Sequence, residues 1–300
     1  MSEIRDVSGT RGIAGRLGLN VPREVWPAAS TVAAIADAGF DWIQMHAPSR
    51  AVLVDVPTMR AQACRLRALL KPFGLRLVVH APDTLSVGVP EEDRVFVGLL
   101  EYASLAGAEL LAYHGLNFFA DEALARVAQE EMALRRFLPL AGYAGVRVAI
   151  ENCAPLHHGP LRLSNDPIAV RDLVRRLGSP AAGMLLDLGH LNITSDIRDE
   201  DPVEIAAACA ADVLLFHVHD NYGLYAQAGD PARATTPRLD LHLAPGAGTV
   251  PWALLAPMLT AHRAPLLLEV RPQHRPPLKE LSRRTQELCS SLEAGIPVAA

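Results

Sequence analysis

Aromatic residues are scarce, at 5% of the 300-residue chain. No apolar run approaches the roughly 18 uninterrupted residues that a membrane span requires, which excludes a helical membrane protein. The segment from Met1 to Arg16 is polar and lacks the apolar stretch of a secretory signal. Cysteine is sparse too: Cys64, Cys153, Cys209 and Cys289 lie far apart and form no CxxC pair. That argues against a disulfide framework or a thiolate zinc site, and the expectation is a reduced, cytoplasmic protein. Positive charge is not in excess either, with 28 basic residues against 33 acidic ones and a formal net charge of −5. Broad nucleic-acid binding relies on clustered Lys and Arg that release counterions from phosphates, so a nucleic-acid partner is not expected. No linker or low-complexity stretch divides the chain, and one domain is expected over residues 1–300, with its core in about 16–292.

What is present is an alternation of short apolar runs with longer amphipathic stretches. The runs Arg16–Asn20, Trp42–Met45, Leu75–His80, Leu110–His114, Val146–Glu151, Gly183–Asp187, Val213–His219 and Pro265–Val270 read as eight strands. All but the last pair start 26 to 37 residues apart, about the length of a strand, a crossover helix and two loops. Between them, Thr58–Phe73 sets Met59, Ala63, Leu66 and Leu70 on one helical stripe, and Glu92–Ala106 does the same with Val95, Leu99, Tyr102 and Ala106. Eight such units predict a (β/α)8 TIM barrel. An open doubly wound sheet is disfavoured because no GxGxxG opens a helix after the first strand. The stretch between His219 and Pro251 breaks the rhythm; an irregular loop of that length is usually functional, and in a barrel it lies over the C-terminal face.

Six consecutive strands each end in an imidazole or a carboxylate. His80, His114, Glu151 and Asp187 close strands three to six, and His190 follows Asp187 by three residues. His217 and His219 share one face of strand seven by the period of two, and Glu269 ends strand eight. Asp240 and His242 stand in the long loop. One such residue is usually a hydrogen-bonded structural group. A whole rim of them is not a solvation pattern, because carboxylates after apolar strands are costly unless paired or on a metal. Nitrogen and oxygen donors without thiolate suit Zn²⁺, Mn²⁺, Mg²⁺, Fe²⁺ or Co²⁺.

The strings VVHAP, AYHG, AIEN, LLDLGH, FHVHDN, DLHLAPGAG followed by Pro251-Trp252, and LLLEV, in this order, resemble the xylose-isomerase-like TIM barrels over roughly residues 16 to 272. That family includes sugar and sugar-phosphate isomerases and epimerases as well as the endonuclease IV repair enzymes. The resemblance to the isomerases and epimerases implies one divalent ion on Glu151, Asp187, His217 and Glu269. His217 is favoured over His219 because Asp220 gives the family's H-x-x-D spacing. It also implies that Glu151 and Glu269 move a proton at a substrate carbon, with His190 as a catalytic, substrate-orienting or ligating residue. The endonuclease IV pattern implies up to three ions on His80, His114, Glu151, Asp187, His190, His217, Asp240, His242 and Glu269.

The HDN, D-x-H-L and L-E-V forms are closer to the isomerase and epimerase branch, whereas endonuclease IV has a HLND-type strand seven. Gly246-Ala247-Gly248 departs from the G-E-G usual in both branches. His219, Arg271 and His158 are candidate substrate contacts, and His46 is expected to line the barrel mouth. The expected partner is a small sugar-like molecule, with a homodimer as the oligomeric possibility. The alternatives are a phosphodiesterase of the abasic-site kind, a dehydratase or lyase on a keto-inositol or dehydroshikimate-like substrate, and a non-catalytic sugar-binding barrel.

Overall fold

The computed structural model describes residues 13–23, 25–119, 121–155, 161–225 and 240–290. Eight parallel strands close into a barrel: β1 (Leu17–Asn20), β2 (Trp42–His46), β3 (Arg76–His80), β4 (Ala108–Tyr113), β5 (Arg147–Glu151), β6 (Ala182–Asp187), β7 (Val213–Val218) and β8 (Leu266–Leu268). β8 pairs back onto β1, with Leu17 opposite Leu266 and Leu19 opposite Leu268. Ten helices are found among the described residues: α1 (Ala29–Asp37), α2 (Arg50–Val54), α3 (Val56–Leu70), α4 (Pro90–Ala106), α5 (Ala123–Tyr143), α6 (Pro167–Leu177), α7 (Leu188–Arg198), α8 (Pro202–Cys209), α9 (Trp252–Ala261) and α10 (Leu278–Ser290). The (β/α)8 expectation is met, and the expected helical stripes are the buried faces: Met59, Ala63, Leu66 and Leu70 in α3, and Val95, Leu99, Tyr102 and Ala106 among those of α4.

Strand alternation divides the core in two. Leu17, Leu19, Ile43, Leu77, Val79, Leu111, Val148, Ile150 and their equivalents pack in the large cluster shared with the helices. Trp42, Val78, Leu110, Ala112, Ala149, Leu185, Leu215 and Leu267 form a separate small cluster, which plugs the barrel interior. Trp42 fills the barrel at β1: a Cβ on Gly18 would lie 2.5 Å from Leu267 Cδ1 and 2.8 Å from Trp42 Cβ, so only glycine fits. The Arg76 guanidinium stacks 3.8 Å from the centre of the Trp42 ring and is tied to Glu109. By the same period of two, the next inward-facing positions, at the C-terminal strand ends, are Gln44, His80, Glu151, Asp187, His217 and Glu269. The apolar plug is therefore the floor on which the polar rim stands.

Three strands end earlier than their apolar runs suggest, and β8 stops at Leu268, one residue before Glu269. β4 stops at Tyr113, because Gly115 N–H turns back to the Tyr113 carbonyl at 3.0 Å, and His114 stands on that turn. β7 stops at Val218, because Asp220 leaves the sheet to exchange two backbone hydrogen bonds with Leu243, at 2.9 and 2.8 Å.

The turn that presents His114 is strapped from outside. Tyr113 Oη donates to Glu130 Oε1 at 2.5 Å, and Leu116 N–H donates to Glu130 Oε2 at 2.8 Å. Leu116 has a φ of 56°, a left-handed backbone that a leucine keeps only where its surroundings enforce it. Burial dominates at Glu130, outweighs these hydrogen bonds and pushes its carboxyl from 4.5 up to about 7. A carboxyl raised by folding stabilises the folded state below its unfolded value and loses that contribution as pH rises through the folded value. Stability is therefore expected to fall between about pH 4.5 and 7 by an amount on the order of 3 kcal/mol from this group. Urea midpoints across that window should show a flatter pH dependence in Glu130→Gln than in the wild type; equal slopes would contradict the assignment.

Candidate metal centre

The rim residues converge into one buried body of carboxylates and imidazoles. At its centre, His217 Nδ1 lies 3.4 Å from Glu151 Oε1, 3.5 Å from Glu269 Oε2 and 3.6 Å from Asp187 Oδ2. On one side, His80 Nε2 and His114 Nε2 lie 3.5 and 3.2 Å from Glu151 Oε2. On the other, Asp240 faces His242 Nε2 at 2.7 Å, and His190 Nε2 and His219 Nδ1 at 3.8 Å each. The three groups adjoin: Glu151 belongs to the first two, and His219 Nε2 reaches Asp187 Oδ1 at 3.0 Å. All nine residues of the longer ligand pattern are thus brought together, with His219 as a tenth.

Separate local causes place each side chain. Asp187 ends β6 and caps α7, accepting His190 N–H at 2.8 Å, which brings His190 back over the same carboxylate. Asp220 accepts from Asn221 N–H, Gly246 N–H, Val250 N–H and Trp252 Nε1–H at 2.8 to 3.1 Å. It fastens the segment after the long loop to the end of β7, which gives the H-x-x-D spacing a structural meaning. Asn152, directly after Glu151, exchanges hydrogen bonds with the Asp187 backbone at 2.8 and 3.0 Å.

The electrostatics follow from burying these charges together. Burial acts to raise Glu151, but His114 and His217 outweigh it and hold its carboxyl well below the usual range. Asp187 is held low against burial by His190 and His219, and Asp240 chiefly by His242 and His190. Burial would lower His217, yet the carboxylates of Glu269 and Glu151 lift it to about 10. Asp187 likewise lifts His190 well above its ordinary value. Positive charge is what this site requires. Protons on His217 and His190 provide it, and a divalent ion would provide the same charge while releasing them.

The donor set fits such an ion. Glu151 Oε2, His217 Nδ1, His219 Nδ1 and Asp240 Oδ1 are buried without a hydrogen-bond partner among the described residues, and all four point into the cluster. The far ring nitrogens are tied down instead: His80 Nδ1 to the Ala81 carbonyl at 2.7 Å, His190 Nδ1 to that of Asn152 at 2.8 Å and His242 Nδ1 to that of Glu269 at 2.6 Å. Those acceptors assign the tautomer that leaves a lone pair for a metal, the usual arrangement of ligating histidines.

Gln44 is the residue that sequence reasoning missed. It is fully buried; its Oε1 accepts His217 Nε2–H at 2.9 Å and its Nε2–H donates to Glu269 Oε1 at 2.5 Å. The available signal was an amide at an inward position of an apolar strand, two residues before His46. His46 does line the mouth, its ring 5.0 Å from that of His80, and burial with His80 beside it lowers it to about 3. Of the candidate substrate contacts, His219 has 0% exposure and stands inside the cluster. Arg271 braces the loop, donating its Nη2–H to the Asp240 carbonyl at 2.9 Å and its N–H to that of His242 at 3.1 Å. His158 lies outside the described residues.

Known proteins resemble this chain in sequence and in fold. The family model described as xylose isomerase-like TIM barrel matches residues 32–292. A 2-epi-5-epi-valiolone 7-phosphate 2-epimerase from Actinoplanes sp. is 30% identical over 179 residues, 57% of this chain and 61% of that protein, so less than two thirds of the relative is spanned. Among solved structures, a D-tagatose 3-epimerase-like protein superposes with a TM-score of 0.68 at 18% identity, over 93% of this chain and 98% of the other. D-psicose 3-epimerase, solved in the presence of D-fructose, gives 0.65 at 12% identity, over 92% and 97%. At those identities the two structures show the fold alone.

Because Gln44 holds two of the central residues at once, Gln44→Leu is expected to weaken divalent-ion binding by about 10–100-fold. Calorimetric titration of the ion-stripped protein with Mn²⁺ measures this. Unchanged affinity in a folded variant would remove Gln44 from the account.

Proposed function

The chain belongs to the xylose isomerase-like TIM barrel family, and on that footing we propose that it is a divalent-metal-dependent epimerase or isomerase of a sugar-like substrate. One observation carries the reading: Glu151, at the end of β5, and Glu269, just past β8 and so three strands further round the barrel, reach the same atom, His217 Nδ1, at 3.4 and 3.5 Å. Two carboxylates so placed suit removal of a proton from one face of a carbon and its return to the other. A divalent ion held by Glu151, Asp187, His217 and Glu269 would supply Lewis-acid polarisation of the substrate's carbonyl and hydroxyl oxygens.

The residues divide the remaining work. Glu269, 8% exposed against 1% for Glu151, is the more accessible of the two bases. His217, with some help from His242, offsets its burial and keeps its carboxyl below the ordinary value, so it is in the ionised form that a base requires. The hydrogen bond from Gln44 fixes one of its oxygens and leaves Oε2 toward the centre. His190, over Asp187 at the mouth, is placed to orient a substrate hydroxyl or carbonyl. The named activity of the Actinoplanes relative supports a phosphorylated cyclitol or sugar phosphate as the substrate class. A dehydratase or lyase would use the same first proton abstraction.

A metal-dependent phosphodiesterase is the second reading, favoured by three adjoining ligand groups, two of which share Glu151 while the third borders on Asp187. The net charge of −5 speaks against it, since a DNA backbone needs a basic surface.

The test is solvent exchange. Metal-loaded protein, incubated in ²H₂O with a panel of ketoses, inososes and their phosphates, should introduce deuterium at the carbon beside the carbonyl of its substrate. Glu151→Gln and Glu269→Gln should each lower the rate by about 10²–10⁴-fold. Absence of exchange across the panel, together with Glu269-dependent cleavage of an abasic-site duplex, would replace this reading with the second.

A further inference from the structure

A cavity of about 160 Å³ lies beside the outer side of β2. Along this strand Gln44 and His46 face the barrel interior, whereas Met45 and Ala47 alternate away from it, into the apolar layer shared with the helices. Met45, His46, Ala47 and Pro48 form one wall of the cavity. The chain after β1 forms another: Val25 N–H closes a turn on the Pro22 carbonyl at 3.0 Å, and Pro22, Val25 and Trp26 line the space. Gln62 of α3 and Tyr102 of α4 complete it. No residue proposed to hold the ion belongs to the lining.

The walls are mostly apolar, and the polar groups set in them are unspent. Tyr102 is 1% exposed, yet its hydroxyl has no hydrogen-bond partner among the described residues. Burial pushes that phenol up to about 12, so it stays an O–H donor. The Gln62 amide has no such partner either, and His46 Nδ1 is buried without one. Groups left unmatched in this way are costly, and a ligand that answers them removes the cost. Charge is already settled. Arg23 is the lining residue that is always charged, and it is paired with Asp83. At the lip, Val25 and Trp26 are large apolar side chains exposed side by side. The Arg65 guanidinium, 5.3 Å from the centre of the Trp26 ring, steadies that ring without joining the lining.

We infer that this cavity binds a small neutral molecule of the phenol type, one six-membered ring bearing one hydroxyl group, at a site separate from the metal centre. The volume sets the ring, since an apolar cavity of about 150 Å³ takes one benzene-sized molecule. Trp26 offers an aromatic face, and Tyr102 and Gln62 offer a donor and an acceptor to a single hydroxyl. A sugar or cyclitol, hydroxylated all round, would press its other hydroxyls against Pro22, Met45 and Pro48 without partners, and a phosphate would meet no unpaired cation. The ligand is therefore chemically distinct from the substrate proposed above, and the inference does not depend on that reaction.

Phenol itself is the probe. Added to ion-stripped and to Mn²⁺-loaded protein, it should change tryptophan fluorescence saturably in both, with a dissociation constant on the order of 1 mM for so small a ligand. Trp42 and Trp252 are buried, so Trp26→Phe should remove the signal. Ala47→Leu, which fills the space, should abolish binding. Tyr102→Phe should weaken phenol by about 2–10-fold and leave the affinity for toluene unchanged. Absence of a saturable change in the wild type would overturn the proposal, as would undiminished phenol binding in folded Ala47→Leu. Should that variant not fold, unaltered phenol affinity in Tyr102→Phe would do the same. Binding by the Mn²⁺-loaded form alone would assign the phenol to the metal centre and equally overturn a separate site.

Discussion

Four carboxylates, Glu151, Asp187, Asp240 and Glu269, are buried at the mouth of this barrel, and compensation of their charge is the constraint on which the rest depends. Removed from water, each would be costly alone. His114, His190, His217 and His242 hold the carboxyls below their ordinary range and are themselves lifted above theirs. Histidines that gain protons this way are poised to exchange them for a divalent ion. The hydrogen bonds on the far ring nitrogens have already chosen the orientation in which that exchange needs no ring flip.

The scaffold serves this constraint in layers. Trp42 and its apolar neighbours close the interior below the rim, so water cannot reach the cluster through the barrel. Gln44 connects His217 to Glu269 across the mouth, and Asp187 joins the end of β6 to the start of α7. Asp220, with donors from four directions, anchors the returning segment close to the residues that bring Asp240 and His242 into the cluster. Glu130 does related work outside the barrel for His114, with a carboxyl that titrates near neutrality.

Much of this was legible because barrel strands write their geometry in a simple code. An apolar run buried on both faces stands out, and a His, Asp or Glu at its end is conspicuous against Val, Ile and Leu. The helical stripes of α3 and α4 were readable to the residue for the same reason. His114 and His219 fall just past their strands because turns and an exchange with Leu243, invisible in a residue pattern, end the ladders first. The choice of His217 for the centre could be read from its spacing to Asp220. The place of His219 between Asp187 and Asp240 could not, since it depends on a loop that returns at Asp240. Gln44 escaped because an amide inside a strand carries no charge and has many bland explanations; its meaning lies in two contacts more than 170 residues away in sequence, at separations of 173 and 225.

The central claim is that this cluster is a metal centre and not a set of ion pairs. Anomalous diffraction from crystals grown with Mn²⁺, and separately with Zn²⁺, tests it most directly. The account predicts an anomalous peak enclosed by Glu151, Asp187, His217 and Glu269. A well-ordered rim with no anomalous peak under either metal, and the imidazoles paired directly to the carboxylates, would contradict it.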